Sequence, residues 1–154
     1  MTDEHFISYL ANIVSEYKID AIYPAMDLVI TILKENEDRL GCRVIAPPTE
    51  TTQICLSKDK TYEVLYDKIS TPKVFSTTSI STSDFPVFVK PKIGYGAKGT
   101  KLLHTQKDLD AFLQGKENML ILEYLPGEEY TVDCFTDRKG NLLYCAARSR
   151  NRIK

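Results

Sequence analysis

Lys90 stands at the end of the short apolar run Val87-Phe88-Val89 and ahead of a loop that holds Gly94, Gly96 and Gly99 together with Lys98. Those residue types in that order suit a triphosphate. A run of β-branched and aromatic residues favours a strand, and Pro91, which has no backbone donor, ends it. Glycines accept positive φ and close backbone approach, so peptide N–H groups turn inward around anionic oxygens while Lys90 and Lys98 supply charge. The same glycines satisfy the Gly-x-Gly-x-x-Gly spacing of a dinucleotide loop. That motif has to open a helix, whereas Thr100 to His104 reads as another strand with a helix beginning only near Gln106. The loop is therefore expected to join two strands as a hairpin. A protein-kinase loop shares that shape, but there the phosphate lysine follows on a later strand, and neither His-Arg-Asp nor Asp-Phe-Gly occurs in this chain. The reading without chemistry is a glycine-rich hairpin flanked by solvated lysines.

Further along, Met119 to Leu122 is an apolar strand that runs into the turn Glu123-Tyr124-Leu125-Pro126-Gly127, and Glu129 to Phe135 alternates like a second strand. A hinge of this kind can present backbone N–H and C=O groups to the edge of a purine. A carboxylate just past it, here Glu129, can accept both hydroxyls of a ribose.

In this order the residues resemble the ATP-grasp carboxylate–amine ligases, and among them proteins related to the large subunit of carbamoyl-phosphate synthase. The similarity runs from about Asp59 to Arg152. Asp59-Lys60 looks like the acidic-basic pair that opens the family's ATP-binding unit at a helix start, so the resemblance implies that Lys60 reaches the phosphates. Lys90, in VKPKIGYGAKG, matches the second phosphate lysine ahead of the glycine-rich lid formed here by Gly94, Gly96, Lys98 and Gly99. Glu123-Tyr124-Leu125-Pro126-Gly127 matches the hinge, which implies adenine contacts along the main chain of Glu123, Tyr124 and Leu125. Glu129-Tyr130-Thr131-Val132 matches the ribose-binding pattern. The resemblance implies phosphorylation of a small carboxylate by ATP to an acyl phosphate, then attack by an amine. Arg148 and Arg150 alternate on one strand face, where they could contact the substrate carboxylate or the acyl phosphate. A solvated cationic edge strand is the competing reading.

The elements that must position these residues follow from periodicity. The expected fold is α/β (α+β): a partial pre-ATP-grasp, Rossmann-like region over residues 1–56, with a parallel βαβ pattern, then an ATP-grasp domain over 57–154 with an antiparallel sheet, truncated on its C-terminal side. Phe6, Leu10, Ile13, Val14 and Tyr17 recur at helical spacing, Ala21 to Pro24 is a strand, Leu28 to Leu33 give a helix closed by Gly41, and Arg43 to Ala46 is the next strand. Asp27, at the head of that helix, is expected to cap it, with a substrate role as the alternative. Thr49 to Ile69 reads as helical, with Tyr62, Leu65, Tyr66 and Ile69 on one face.

With 154 residues, 43% hydrophobic and 27% charged, the chain is long enough for a packed core. Its net charge of −1 gives no electrostatic case for nucleic acid or an anionic membrane. The apolar runs are too short to span a bilayer and MTDEHF lacks the regions of a signal peptide, so a cytoplasmic location is expected. Cys42, Cys55, Cys134 and Cys145 have no metal-ligand spacing and only His5 and His104 to accompany them, so they are expected to be reduced and mostly buried, with no metal bound. The resemblance places the magnesium ligands of the full-length enzyme in a part not matched here, and the chain looks like an internal piece that is inactive by itself. A homodimer is left open. The alternative function is a non-catalytic nucleotide-binding or regulatory module completed by a partner chain.

Overall fold

The computed structural model describes residues 5–150 and shows a mixed α/β chain. Helix α1 (Phe6–Tyr17) buries Ile7 and Val14 from one stripe and stops where Lys18 turns left-handed at φ 53. Strand β1 (Ala21–Ile22), helices α2 (Asp27–Glu35) and α3 (Glu37–Leu40), and strand β2 (Arg43–Val44) form the expected βαβ unit, with β1 and β2 parallel and Ala21 opposite Arg43. The helical stretch before Gly41 is divided at Asn36, whose Nδ2 donates to the Ile32 carbonyl at 2.9 Å. Ile7, Leu33, Leu40 and Val44 form the core here.

The helical pattern expected over Thr49 to Ile69 resolves into α4 (Thr49–Leu56) and α5 (Lys58–Leu65). Ser57 between them is extended, at φ −108 and ψ 113. Tyr66 and Ile69 lie beyond the end of α5 and are exposed, so the expected apolar face ends at Leu65. The break matters for function because it turns residues 58–60 into a helix N-terminus.

Strands β3 (Val74–Phe75), β4 (Val87–Pro91), β5 (Lys101–Leu103) and β6 (Met119–Glu123) form an antiparallel sheet in the order β3-β6-β4-β5. In β4 and β5, Val87 faces Leu103 and Val89 faces Lys101, which makes the glycine segment a hairpin loop as its flanking strands implied. No helix opens at Ala97 or Gly99. The next helix, α6 (Gln106–Leu113), starts after Thr105, whose Oγ1 accepts from the Asp108 amide at 3.1 Å. Val87 and Val89 are fully buried beside Leu103, Leu109 and Ile121, each side chain contributing about 1.5–3 kcal/mol by leaving water. Because side chains alternate along a strand, burying these two directs Phe88 and Lys90 to the opposite face.

From Tyr124 onward the chain is a second compact unit. There β7 (Tyr130–Thr136) and β8 (Leu142–Ser149) pair antiparallel, Tyr130 opposite Ser149, with an irregularity at Phe135/Thr136. Asp137 makes the expected turn: its Oδ1 accepts from the amides of Lys139 at 2.7 Å and Asn141 at 2.9 Å. Arg152, where the family similarity is expected to end, lies outside the described residues, as do residues 1–4.

The cysteines are free but not mostly buried. Cys42 is half-buried, and Cys55, Cys134 and Cys145 are exposed. In α4 only Thr52 is buried, and a two-stranded hairpin has no interior of its own in which to place Cys134 and Cys145. Among the described residues no helix is long and apolar enough to cross a membrane.

Candidate functional site

Lys58 and Lys60 sit in the first turn of α5, where the helix dipole disfavours cations. Something else must hold them there. Lys58 is a tether: its amide donates to the Lys92 carbonyl at 3.0 Å, and its Nζ donates to the carbonyls of Gly94 at 2.9 Å and Lys92 at 3.4 Å. Asp59 accepts from the Ser57 hydroxyl and, at 3.0 Å, from the Lys60 amide, and pairs with Lys92 Nζ at 2.9 Å. Together these bonds fasten the start of the glycine loop to the head of α5. Lys60 is exposed.

Hydrogen bonds from Ser57 and Lys92 hold the Asp59 carboxyl at about 2, below its ordinary 3.8. The folded value is the depressed one, so the latch contributes stability above the ordinary value and loses it as the pH falls toward about 2. Asp59→Asn should flatten that part of the acid-unfolding curve. Denaturant midpoints measured from about pH 5 down to about pH 2 test this, and an identical slope in both proteins would show that the latch is not linked to folding.

Lys90 Nζ donates to the Tyr62 hydroxyl at 2.8 Å and lies 5.1 Å from the centre of its ring. Burial and then the neighbouring Lys90 ammonium push the Lys58 pKa down, with Asp27 acting in the opposite sense. Among the described residues neither Lys58 nor Lys90 has a carboxylate within ion-pair distance. The Lys90 ammonium, beside the glycine loop and without a carboxylate at ion-pair distance, is placed to attract an anion.

In the loop, Gly96 and Gly99 have φ of 64 and 72, and a Cβ on Gly99 would come within 3.1 Å of Pro91 Cγ. At Gly99 the left-handed backbone and the close approach to β4 both favour glycine. Gly94 opens the loop as the acceptor for Lys58, and Lys98 Nζ lies 5.6 Å from the Tyr95 ring centre. A cleft of about 640 Å³ between this loop and the head of α2 is lined by Asp27, Lys58, Gly94 and Tyr95 among others. Asp27 is the first residue of α2, and the residue before it, Met26, contributes no side-chain cap. An acid in a first turn is favoured by the dipole alone.

At the end of β6, Glu123 is engaged in the sheet edge. Its amide donates to the Lys73 carbonyl at 2.9 Å, and its Oε2 accepts from the Lys73 amide at 3.1 Å. Glu123 also lines a second cleft, of about 770 Å³, with Asp59, Tyr62, Tyr66, Lys73 and Leu120. Tyr124 and Leu125 are exposed.

In the second unit, Arg148 and Arg150 share a face as their spacing implied, and each meets an acid on the facing segment. Arg148 Nε donates to Asp133 Oδ2 at 2.8 Å, and Arg150 Nη1 donates to Glu129 Oε1 at 3.0 Å. Lys90 and Glu129 belong to different compact units. Sequence reasoning passed over Lys58 and Tyr62. The signal for Lys58 was available in Ser57-Lys58-Asp59-Lys60, since cations flanking an acid at a helix start oppose the dipole and call for a partner. Tyr62 had no such signal, because one more aromatic on a helix reads as core.

A family model described as the ATP-grasp domain matches residues 55–153, well over half of the chain. This chain belongs to the ATP-grasp family. It is 29% identical over 155 residues to the formate-dependent phosphoribosylglycinamide formyltransferase of Prochlorococcus marinus strain AS9601, covering 88% of this chain and 39% of that protein. The homologue from strain NATL2A is 23% identical, with 90% and 40% covered. The chain thus spans about two fifths of the length of the curated relatives it matches. Its fold is similar to the biotin carboxylase domain of Hydrogenobacter thermophilus 2-oxoglutarate carboxylase, solved as a dimer with MgADP and bicarbonate, at a TM-score of 0.80 and 16% identity, covering 94% of this chain and 37% of that one. It is also similar to the L-amino acid ligase of Bacillus licheniformis, at 0.73 and 16%, covering 96% and 37%. ATP-grasp ligases of differing substrates therefore share this arrangement of strands.

Proposed function

We propose that this chain is the ATP-binding part of an ATP-dependent carboxylate–amine ligase of the carbamoyl-phosphate synthase-like kind, working through an acyl phosphate. Residues 1–56 are then a partial pre-ATP-grasp domain and residues 57–154 an ATP-grasp domain without its C-terminal side, a division supported by a family match that begins at residue 55. The observation that carries the reading is the arrangement at the loop: Lys90 held by the Tyr62 hydroxyl at the end of β4, and Lys58 tying the glycine loop to the head of α5.

In this reading Lys90, Lys60 and Lys98 neutralise phosphate oxygens, and the amides around Gly94, Gly96 and Gly99 donate to them. Lys58 positions the loop. The Glu123 amide is committed to Lys73, so purine contacts fall to the Glu123 carbonyl and the main chain of Tyr124 and Leu125. Glu129 takes the ribose hydroxyls while Arg150 orients its carboxylate, and Arg148 and Arg150 remain the contacts for the carboxylate substrate. Phosphoryl transfer in such enzymes draws on magnesium to neutralise charge between phosphates and acceptor. Among the described residues no group of three or more His, Cys, Asp or Glu side chains is placed to hold a metal ion. Asp133 is engaged by Arg148 and Asp137 by the turn at Asn141, and no step of the reaction is assigned to metal on this chain. Small carboxylate and amine substrates and a cytoplasmic location complete the proposal, with a homodimer left open.

Calorimetric titration of the chain with ATP and with 2′-deoxy-ATP tests it. ATP should bind more tightly than the deoxynucleotide, and Glu129→Gln should narrow that ratio by removing a charged acceptor, at about 1.5–3 kcal/mol for a hydrogen bond to a charged group. No measurable ATP binding would sink the reading, and an unchanged ratio in the variant would remove Glu129 from it.

A further inference from the structure

In the β7–β8 hairpin the Arg150 amide donates to the Glu129 carbonyl at 2.8 Å, which sets the phase of the ladder. Opposed residues of an antiparallel pair alternate between hydrogen-bonded and non-hydrogen-bonded. Counting inward from Glu129 and Arg150, the pairs 131/148 and 133/146 are hydrogen-bonded, and Cys134 opposite Cys145 is not. Non-hydrogen-bonded pairs bring their Cα atoms to about 4.5 Å and their side chains closest together, within the range a disulfide spans. The two Sγ atoms are 3.9 Å apart, and both residues are exposed. Neither side chain is used in the nucleotide reading: alternation puts them on the face opposite Glu129, Asp133, Arg148 and Arg150.

We propose that Cys134 and Cys145 are a redox-active dithiol that closes to an intrachain disulfide by exchange with a low-molecular-weight disulfide such as oxidised glutathione. The thiolate of one cysteine attacks a sulfur of the small disulfide and expels a thiolate, which takes up a proton. The other cysteine, as thiolate, then attacks the mixed disulfide and expels the second small thiol. The protein's two thiols lose two electrons and two protons, and the small disulfide is reduced to two thiols. The new bond ties β7 to β8 in their native register, beneath the face that carries the two acid–arginine pairs. The hydrogen bond to Cys145 raises the Cys134 pKa, so closure quickens as the pH is raised, because the thiolate is the reacting form.

The test is incubation of the purified chain with oxidised glutathione, followed by thiol titration and peptide mapping. Titratable thiols should fall from four to two, with one cross-linked peptide joining Cys134 to Cys145, no covalent dimer, and reversal by dithiothreitol. A Cys42→Ser/Cys55→Ser double variant should lose both remaining thiols, and Cys145→Ser should stop at a glutathione adduct on Cys134. Amide exchange in β7 and β8 should slow on oxidation. Unchanged thiols, separate glutathione adducts on the two cysteines of the native chain, a bond to Cys42 or Cys55, or a bond between chains would each overturn the proposal.

Discussion

Lys90→Met is expected to weaken ATP binding by about 10- to 100-fold, the equivalent of one charge-assisted hydrogen bond at about 1.5–3 kcal/mol. The effect is large because of where Lys90 lies. It is half-buried on the face of β4 opposite Val87 and Val89, so its stem is packed and its ammonium is held by the Tyr62 hydroxyl at 2.8 Å, poised without a neutralising carboxylate. Methionine keeps the stem's volume and removes the charge, so the sheet should persist. The lost Lys90 charge is, after burial, the second cause of the lowered Lys58 pKa. Titration of wild type and variant with ATP measures the loss, and urea unfolding of both shows whether the fold is retained. A variant that folds normally and binds ATP within twofold of wild type would show that the phosphates are not at Lys90.

The chain by itself is expected not to release phosphate from ATP at a ligase rate, even with magnesium and a panel of carboxylates and amines supplied. Metal ions that neutralise charge between phosphates and acceptor supply a large share of the barrier lowering in phosphoryl transfer. Among the described residues no cluster of acids is built to hold one. Asp133 is engaged with Arg148, and Asp137 is consumed by the turn at Asn141. Binding and turnover should therefore separate: nucleotide affinity without substrate-dependent phosphate release, a result that a regulatory module and a ligase completed by further chain both share. Robust release that vanishes in Lys90→Met would show that the metal-binding groups are present after all, and joining the chain to the complementary part of a relative should otherwise restore it.

Local signals determined a good deal of this protein. The apolar run before Lys90, the glycines after it and the strand signal at Thr100 to His104 were enough to place a hairpin loop, because strand period, proline and glycine act within a few residues. The same holds for the βαβ pattern from Ala21 to Val44 and for the turn at Asp137. Tertiary structure alone decided the rest. Periodicity reads residues 49 to 69 as one helical stretch, whereas the fold leaves Ser57 extended and Lys58 at a helix start, from which it reaches the carbonyl of Gly94, 36 residues away in sequence. Tyr62 became the partner of Lys90 by a contact across 28 residues. Arg148 and Arg150 read as two free guanidinium groups, whereas the β7–β8 register gives each an acid. The cysteines read as core and lie exposed, because hydrophobic character sets a preference for burial while the number of layers packed on an element sets whether burial is available. Composition and period act along the chain, but pairing, register and charge balance depend on which distant residues the fold brings opposite one another.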